Sequence, residues 1–185
     1  MSINLKKGEG INLTKEKPGL NNVRVGLGWD NPIKADLDVC MFGLAVKDGA
    51  PKLVSEDYFV FYNHKATVDG AVKHLGDNRT GEGSGDDEII QIDLSKIDAA
   101  VQELSFIVTI YSPSGCNFGK IGEAFIRIVN DANGEEIAIY DLDAQFTNES
   151  AVQFGSLFRT DKGWEFKAIG AGFNATLEDF VNQYS

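Results

Sequence analysis

Residues 76–88, GDNRTGEGSGDDE, combine oxygen-bearing side chains with closely spaced glycines. Five acidic residues and one basic residue fall between Asp77 and Glu88. Ca²⁺ takes roughly six to eight hard oxygen ligands in a tolerant geometry, and Asp, Asn, Glu and main-chain carbonyls supply them. Glycines such as Gly81, Gly83 and Gly85 permit backbone angles that let the chain wrap an ion. The segment therefore predicts a calcium site with these side-chain donors: Asp77, Asn78, Thr80, Asp86, Asp87 and Glu88.

The segment is not an EF-hand loop. Asp77 and Glu88 match the first and twelfth positions of that motif. The third and fifth positions, which require oxygen ligands, hold Arg79 and Gly81. The flanking sequence also has the alternation of strands and not of helices. We therefore expect a site in a loop at the end of a strand.

A second acidic pair, Asp36-Leu37-Asp38, lies upstream. Residues i and i+2 of a strand point to the same face, so both carboxylates are expected on one side and Leu37 on the other. Two carboxylates on one face repel each other unless a cation lies between them. The pair therefore predicts further metal ligands, and with them more than one Ca²⁺ ion.

Two other interpretations of the acidic clusters remain open. An Asp/Gly-rich loop is often a solvated turn, because these residues favour turns, and the clusters would then serve only structure or solubility. Carboxylates can also position Mg²⁺ or Mn²⁺ in a hydrolase. The sequence offers no convincing general base or nucleophile for such an enzyme, so we predict a binding protein and no catalytic residues.

Other candidate sites are weaker. The glycines of GEGSGDD are not followed by Lys-Ser or Lys-Thr, and the acidic residues would repel phosphate. His64 and His74 are interpreted as plain surface residues of a polar region. Cys40 and Cys116 form no CxxC motif, which with no signal-like segment favours reduced thiols in a cytoplasmic protein.

Period-2 alternation dominates the elements that must position these residues. A hairpin is predicted from the alternating residues 3–6 and 11–14. Further strands are predicted at 23–29, 36–46, 58–62, 89–94, 104–111, 124–129, 136–142 and 164–169. A terminal helix begins near residue 176, capped by Thr176 or Asn174. The pattern predicts one all-β domain over residues 1–185, a β-sandwich with short helical segments and a C-terminal helix.

The net charge of the chain restricts the classes of molecule that the protein is expected to bind. The formal net charge of −11 disfavours direct binding to nucleic acid and to anionic lipid. No window approaches the roughly 18 apolar residues of a membrane span, so no membrane insertion is expected. Divalent cations or a basic protein are the partners that this charge favours.

The acidic motif, together with several shorter stretches, resembles the TerD family of tellurite-resistance and general-stress proteins. The shorter stretches are VGLGWD at 25–30, DLD at 36–38, FVFYN at 59–63, FGKI at 118–121, FIRIVN at 125–130, ESA at 149–151 and WEFKAIG at 164–170. Their order and spacing extend through nearly the whole chain.

The resemblance implies a cytoplasmic, bacterial-type stress protein with no established enzymatic activity. It implies a β-sandwich that binds calcium through acidic loops at one end, and other proteins of the stress system as partners. The family's aspartate pair falls on Asp36 and Asp38. Its loop ligands fall within Asp77, Asn78, Gly81, Gly83, Asp86, Asp87 and Glu88.

Overall fold

The computed structural model describes residues 2–30, 35–76, 78–79, 85–111, 115–142 and 146–185. Two sheets pack face to face in this part of the chain. Sheet A has the order β1 (Ile3–Asn4), β11 (Glu136–Asp141), β10 (Gly122–Asn130), β3 (Asn22–Asp30), β8 (Glu88–Asp93) and β7 (Val72–His74). Sheet B has the order β2 (Gly10–Asn12), β13 (Gly163–Phe173), β12 (Ala151–Thr160), β9 (Glu103–Ile110), β4 (Leu37–Lys47) and β5 (Ala50–Leu53), and β6 (Phe59–Val60) also pairs with β4.

The main core lies between the two sheets and follows the strand alternation. On β8 the buried side chains are Glu88, Ile90 and Ile92, and the intervening residues are partly exposed. On β3, Val23, Val25 and Leu27 are fully buried against the same core. Because successive side chains of a strand point to opposite faces, this alternation fixes the register of sheet A.

Strand β4 is buried on both faces. Leu37, Val39 and Met41 belong to the main core, whereas Cys40 and Phe42 belong to a second apolar cluster on the outer face of sheet B. Helix α2 (Leu177–Tyr184) covers this second cluster with Phe180 and Tyr184. The near-continuous apolar run of β4 is thus explained by a strand with a layer on each side.

Short helical segments complete the fold. Helix α1 (Leu13–Glu16) begins after Asn12, whose side chain accepts the Lys15 N–H. Single 3₁₀ turns lie at Glu56–Tyr58 and Phe118–Lys120. Helix α2 begins with a reciprocal capping box between Thr176 and Asp179, which confirms Thr176 as its cap. Among the described residues, no helix is both long enough and apolar enough to cross a membrane.

The predicted β-sandwich with a C-terminal helix is confirmed, but two local predictions are wrong. The N-terminal strands do not form a hairpin: β1 pairs in parallel with β11 in sheet A, and β2 pairs with β13 in sheet B. Each fills an open sheet edge, which offers more backbone partners than two short strands offer each other. Strands β5, β7 and β12 were not predicted. His74 is buried and not a surface residue, because β7 places it against the main core.

Candidate metal centre

Asp36 and Asp38 lie at the beginning of β4. Leu37, between them, is fully buried in the main core, and the two aspartates line one small cavity together with Tyr62, Arg79 and Tyr111. The Tyr111 N–H donates to the Asp36 carbonyl at 2.8 Å, which extends the β4–β9 pairing to this point. The cavity has a volume of about 80 Å³, which is room for an ion or for water. The two carboxylates therefore share one side of the strand.

Glu88, the first residue of β8, connects the two sheets beside this cavity. Its Oε2 accepts the Val39 N–H of β4 at 2.7 Å and lies 3.6 Å from Nε2 of His74. The side chains of Glu88 and His74 are both fully buried. A charged group is rarely buried to this degree without hydrogen-bonding partners, and the Val39 amide provides one.

Asp38 and Glu88 both meet β4 near Cys40, because Glu88 accepts the N–H of Val39, the residue that follows Asp38. Burial raises the pKa of Cys40 well above its usual value, and the negative charges of Asp38 and Glu88 raise this pKa further. Asp38 is 4% exposed and Glu88 is 1% exposed. Two buried carboxylates thus lie near the same end of β4, one reaching it from each sheet.

Asp87 connects the acidic segment to strand β3. Its Oδ2 accepts the Trp29 N–H at 3.0 Å, and its Oδ1 accepts from Nδ2 of Asn78 at 2.7 Å. Burial raises the pKa of Asp87, the Trp29 N–H opposes this shift, and the neighbouring charge of Asp86 adds to it. Ionisation of Asp87 is therefore less favourable in the fold than in water, and a bound cation would offset this cost.

Asp86 is neutralised from within the protein. Nε of Arg127, on β10, donates to Oδ1 of Asp86 at 2.7 Å, and Nη1 of Arg127 donates to Oε2 of Glu136 at 3.0 Å. The hydrogen bond to Asp86 raises the pKa of Arg127, as does the bond to Glu136, although partial burial opposes this rise. The structure thus assigns Asp86 a paired position on the outer face of sheet A.

Two glycines of β3 make this position possible, and they were not predicted as part of the site. A Cβ atom on Gly26 would overlap the Asp86 carboxylate, and one on Gly28 would overlap the Gly85 carbonyl oxygen and the Phe125 ring. Glycine inside a strand often marks the close approach of another backbone, which was the available signal.

The described predicted ligands therefore divide into four groups. Asp36 and Asp38 line one cavity, Asn78 and Asp87 contact each other, Asp86 pairs with Arg127, and Glu88 lies between the sheets. Asp77, Gly81 and Gly83 lie outside the described residues. Across the described part of the chain, no three His, Cys, Asp or Glu side chains lie close enough together to hold a metal ion. The full ligand set remains a prediction, although its oxygen chemistry suits Ca²⁺.

Comparison of the sequence with models of known families tests the resemblance that the motifs suggested. A family model described as the TerD domain matches residues 1–184. This chain belongs to the TerD family. The family resemblance predicted from the sequence motifs is thereby confirmed, and the match spans both sheets and helix α2.

Relatives of this TerD-family chain are similar over their whole length. Tellurium resistance protein TerD of Alcaligenes sp is 42% identical over 190 residues, which cover 100% of this chain and 97% of the relative. General stress protein 16U of Bacillus subtilis (strain 168) is 42% identical over 191 residues, with the same two coverages.

A solved structure supports the TerD fold. The crystal structure of a homologue of telluride resistance protein (TerD) from Streptomyces coelicolor A3(2) superposes with a TM-score of 0.72 at 22% identity. The superposition covers 88% of this chain and 96% of that one. This likeness concerns the sandwich architecture alone.

Proposed function

We propose that this TerD-family chain is a calcium-binding module of a tellurium-resistance and chemical-stress response system. It is a cytoplasmic binding protein and not an enzyme. Ca²⁺ bound by the acidic segments at one end of the sandwich orders those segments, and the ordered surface binds another protein of the system. Relatives named for tellurium resistance and general stress support the system assignment.

The observation that carries the calcium proposal is the pair of aspartates at the beginning of β4. Asp36 and Asp38 line one cavity of about 80 Å³, and Asp38 is 4% exposed. Like charges at close range destabilise each other, and a divalent cation offsets this cost more effectively than a single basic side chain. Glu88, Asp87 and Asn78 would supply further oxygen ligands, together with the predicted donors of residues 77 and 80–84.

Thermal unfolding of chelator-stripped protein, alone and with about 1 mM Ca²⁺ or Mg²⁺, tests the proposal. A site of roughly micromolar affinity stabilises the fold by about 4 kcal/mol at a thousandfold excess of ligand. For a domain of this size the expected rise in Tm is about 8–16 °C. We expect this rise with Ca²⁺ and little change with Mg²⁺.

A matched pair of variants locates the effect. Asp38→Asn combined with Asp87→Asn should abolish the Ca²⁺-dependent rise in Tm. Asp161→Asn is the control, because Asp161 is an exposed acid in the turn between Thr160 and Gly163, at the opposite end of sheet B. An unchanged Ca²⁺ response in the double variant would contradict the placement of the site. Absence of any response in the parent protein would contradict calcium binding itself.

The hydrolase alternative predicts a different result. Turnover of a generic phosphoester substrate that requires Mg²⁺ or Mn²⁺, and that stops on chelation, would replace the binding-module proposal. The same Asp38→Asn and Asp87→Asn double variant should then lose turnover, whereas Asp161→Asn should retain it.

A further inference from the structure

A groove on the outer face of sheet B adjoins the acidic cavity but differs from it in chemistry. Its volume is about 580 Å³, within the range of roughly 300–1,000 Å³ typical of small-molecule sites. Leu177 and Val181 of helix α2 form one side, and Phe59 and Phe61 lie along the other. The groove is therefore mostly apolar and has the size of a ligand site.

Aromatic rings continue from this groove to the protein surface. Phe59 and Phe61 stack with ring centroids 4.4 Å apart, and Phe61 and Tyr62 form an edge-to-face pair with centroids 5.1 Å apart. Tyr62 and Tyr111 then form an edge-to-face pair at 6.2 Å, and Tyr111 is 56% exposed. The faces of aromatic rings carry partial negative charge, so this row of rings can attract a cation.

The charged residues of the groove have one sign. Asp38 lies at its inner end, and Glu178 of α2 lies on its exposed rim. Among the described residues that line the groove there is no Lys, Arg or His. The hydroxyl groups of Thr109, Thr176, Tyr62 and Tyr111 are its other polar side-chain groups. Arg79 lines only the adjoining cavity, and across the two spaces three carboxylates, Asp36, Asp38 and Glu178, outnumber this single described cation. The net charge is thus complementary to a cationic ligand with an apolar body.

We propose that this groove binds a small organic cation, of the class of arylalkyl or alkyl amines. The apolar body packs on Phe59, Phe61 and Leu177, and the ammonium group lies against the faces of Tyr62 and Tyr111 near Asp38. The proposal goes beyond calcium binding and does not depend on it. Because Asp38 also borders the acidic cavity, Ca²⁺ bound there lowers the affinity of the groove for the amine.

Isothermal titration calorimetry in the presence of chelator tests the ligand class with three matched probes. Phenethylammonium carries the cation, 2-phenylethanol is its neutral analogue and 3-phenylpropanoate its anionic analogue. We expect the cation to bind about 5- to 30-fold more tightly than the alcohol, and the anion to bind more weakly still. Equal binding of cation and alcohol, tighter binding of the anion, or no binding of the cation would overturn the proposal.

Variants of exposed groove residues locate the site without disturbing the core. Tyr111→Ala should weaken phenethylammonium binding severalfold, whereas Tyr111→Phe, which keeps the ring, should retain it. Glu178→Gln should also weaken binding, and equal Tm values for all three variants would show that the fold persists. Unchanged affinity in Tyr111→Ala would place the amine elsewhere and contradict the assignment. Amine binding in chelator, together with no Ca²⁺-dependent rise in Tm, would leave the groove established and remove only the calcium proposal.

Discussion

The carboxylate of Asp86 occupies the space that a side chain on Gly26 would fill. Arg127, which pairs with Asp86 across the outer face of sheet A, holds the carboxylate there. The absence of a side chain on β3 therefore determines where the acidic segment meets the sheet. This relationship gives the first prediction.

Gly26→Ala should displace Asp86 from Arg127 and lower the free energy of unfolding by about 1–3 kcal/mol, as overpacking does at other close contacts. Urea denaturation measures this loss. Gly76→Ala is the control, because a Cβ on Gly76 meets nothing within 4 Å. In an Asp86→Ala background the cost of Gly26→Ala should fall, since the overlapping carboxylate is gone. Strictly additive effects of Gly26→Ala and Asp86→Ala would show that the two residues do not compete for space.

Glu88 is expected to stabilise the fold through the hydrogen bond that it accepts from the Val39 N–H. Glu88→Ala should destabilise the protein by about 1–3 kcal/mol, because this buried N–H loses its partner. Glu88→Gln should cost much less, since its amide oxygen can accept the same bond. Chemical denaturation of both variants in chelator makes the comparison. Equal losses for Ala and Gln would assign the effect to the charge of Glu88 instead of the hydrogen bond.

Tyr58 should contribute to alkaline unfolding. Burial, followed by its hydrogen bond to Asp69, raises the pKa of Tyr58 to about 12, and the Asp98 N–H, which donates to Oη at 3.3 Å, opposes the rise. Because the folded state favours the neutral phenol, this contribution is complete below the usual pKa of about 10 and is lost as pH rises toward about 12. Wild-type stability should therefore fall more steeply between these pH values than that of Tyr58→Phe. Parallel slopes for the two proteins would contradict this role.

Thr176 should determine the stability of helix α2. Its hydroxyl oxygen accepts the Asp179 N–H at 3.4 Å, and the Asp179 carboxylate accepts the Thr176 N–H at 2.7 Å. Thr176→Ala should cost about 1 kcal/mol, and Thr176→Ser should be close to neutral. Hydrogen exchange should show the loss first in the amides of α2. A uniform loss of protection across both sheets would mean instead that α2 unfolds only with the whole domain.

The sequence predicted those parts of the fold that depend on local pattern. Alternation located β3, β8 and β10 to within one or two residues, and Thr176 located the beginning of α2. Strand β12 was missed because Gly155 and Ser156 interrupt its apolar pattern. Gly155 is required there by contact with the Phe166 ring and the Lys167 carbonyl oxygen, which only the folded sheet shows.

The candidate site was predictable in composition but not in arrangement. Clustered acid and glycine identified the segment, and strand alternation predicted that Asp36 and Asp38 share a side. The partners of each carboxylate come from distant parts of the chain: Arg127 for Asp86, Trp29 for Asp87 and the Val39 amide for Glu88. Contacts between residues 40 or more positions apart leave no periodic signal in one sequence.

The short strands β1 and β2 each occupy the terminal position of a different sheet. One segment of about ten residues therefore pairs with part of β11 and part of β13, whose uncovered edges could pair with another chain. A variant without residues 1–12 should self-associate, which light scattering would detect, whereas a merely less stable monomer would contradict this expectation. The beginning of the chain thus protects the protein against aggregation on two sheets at once.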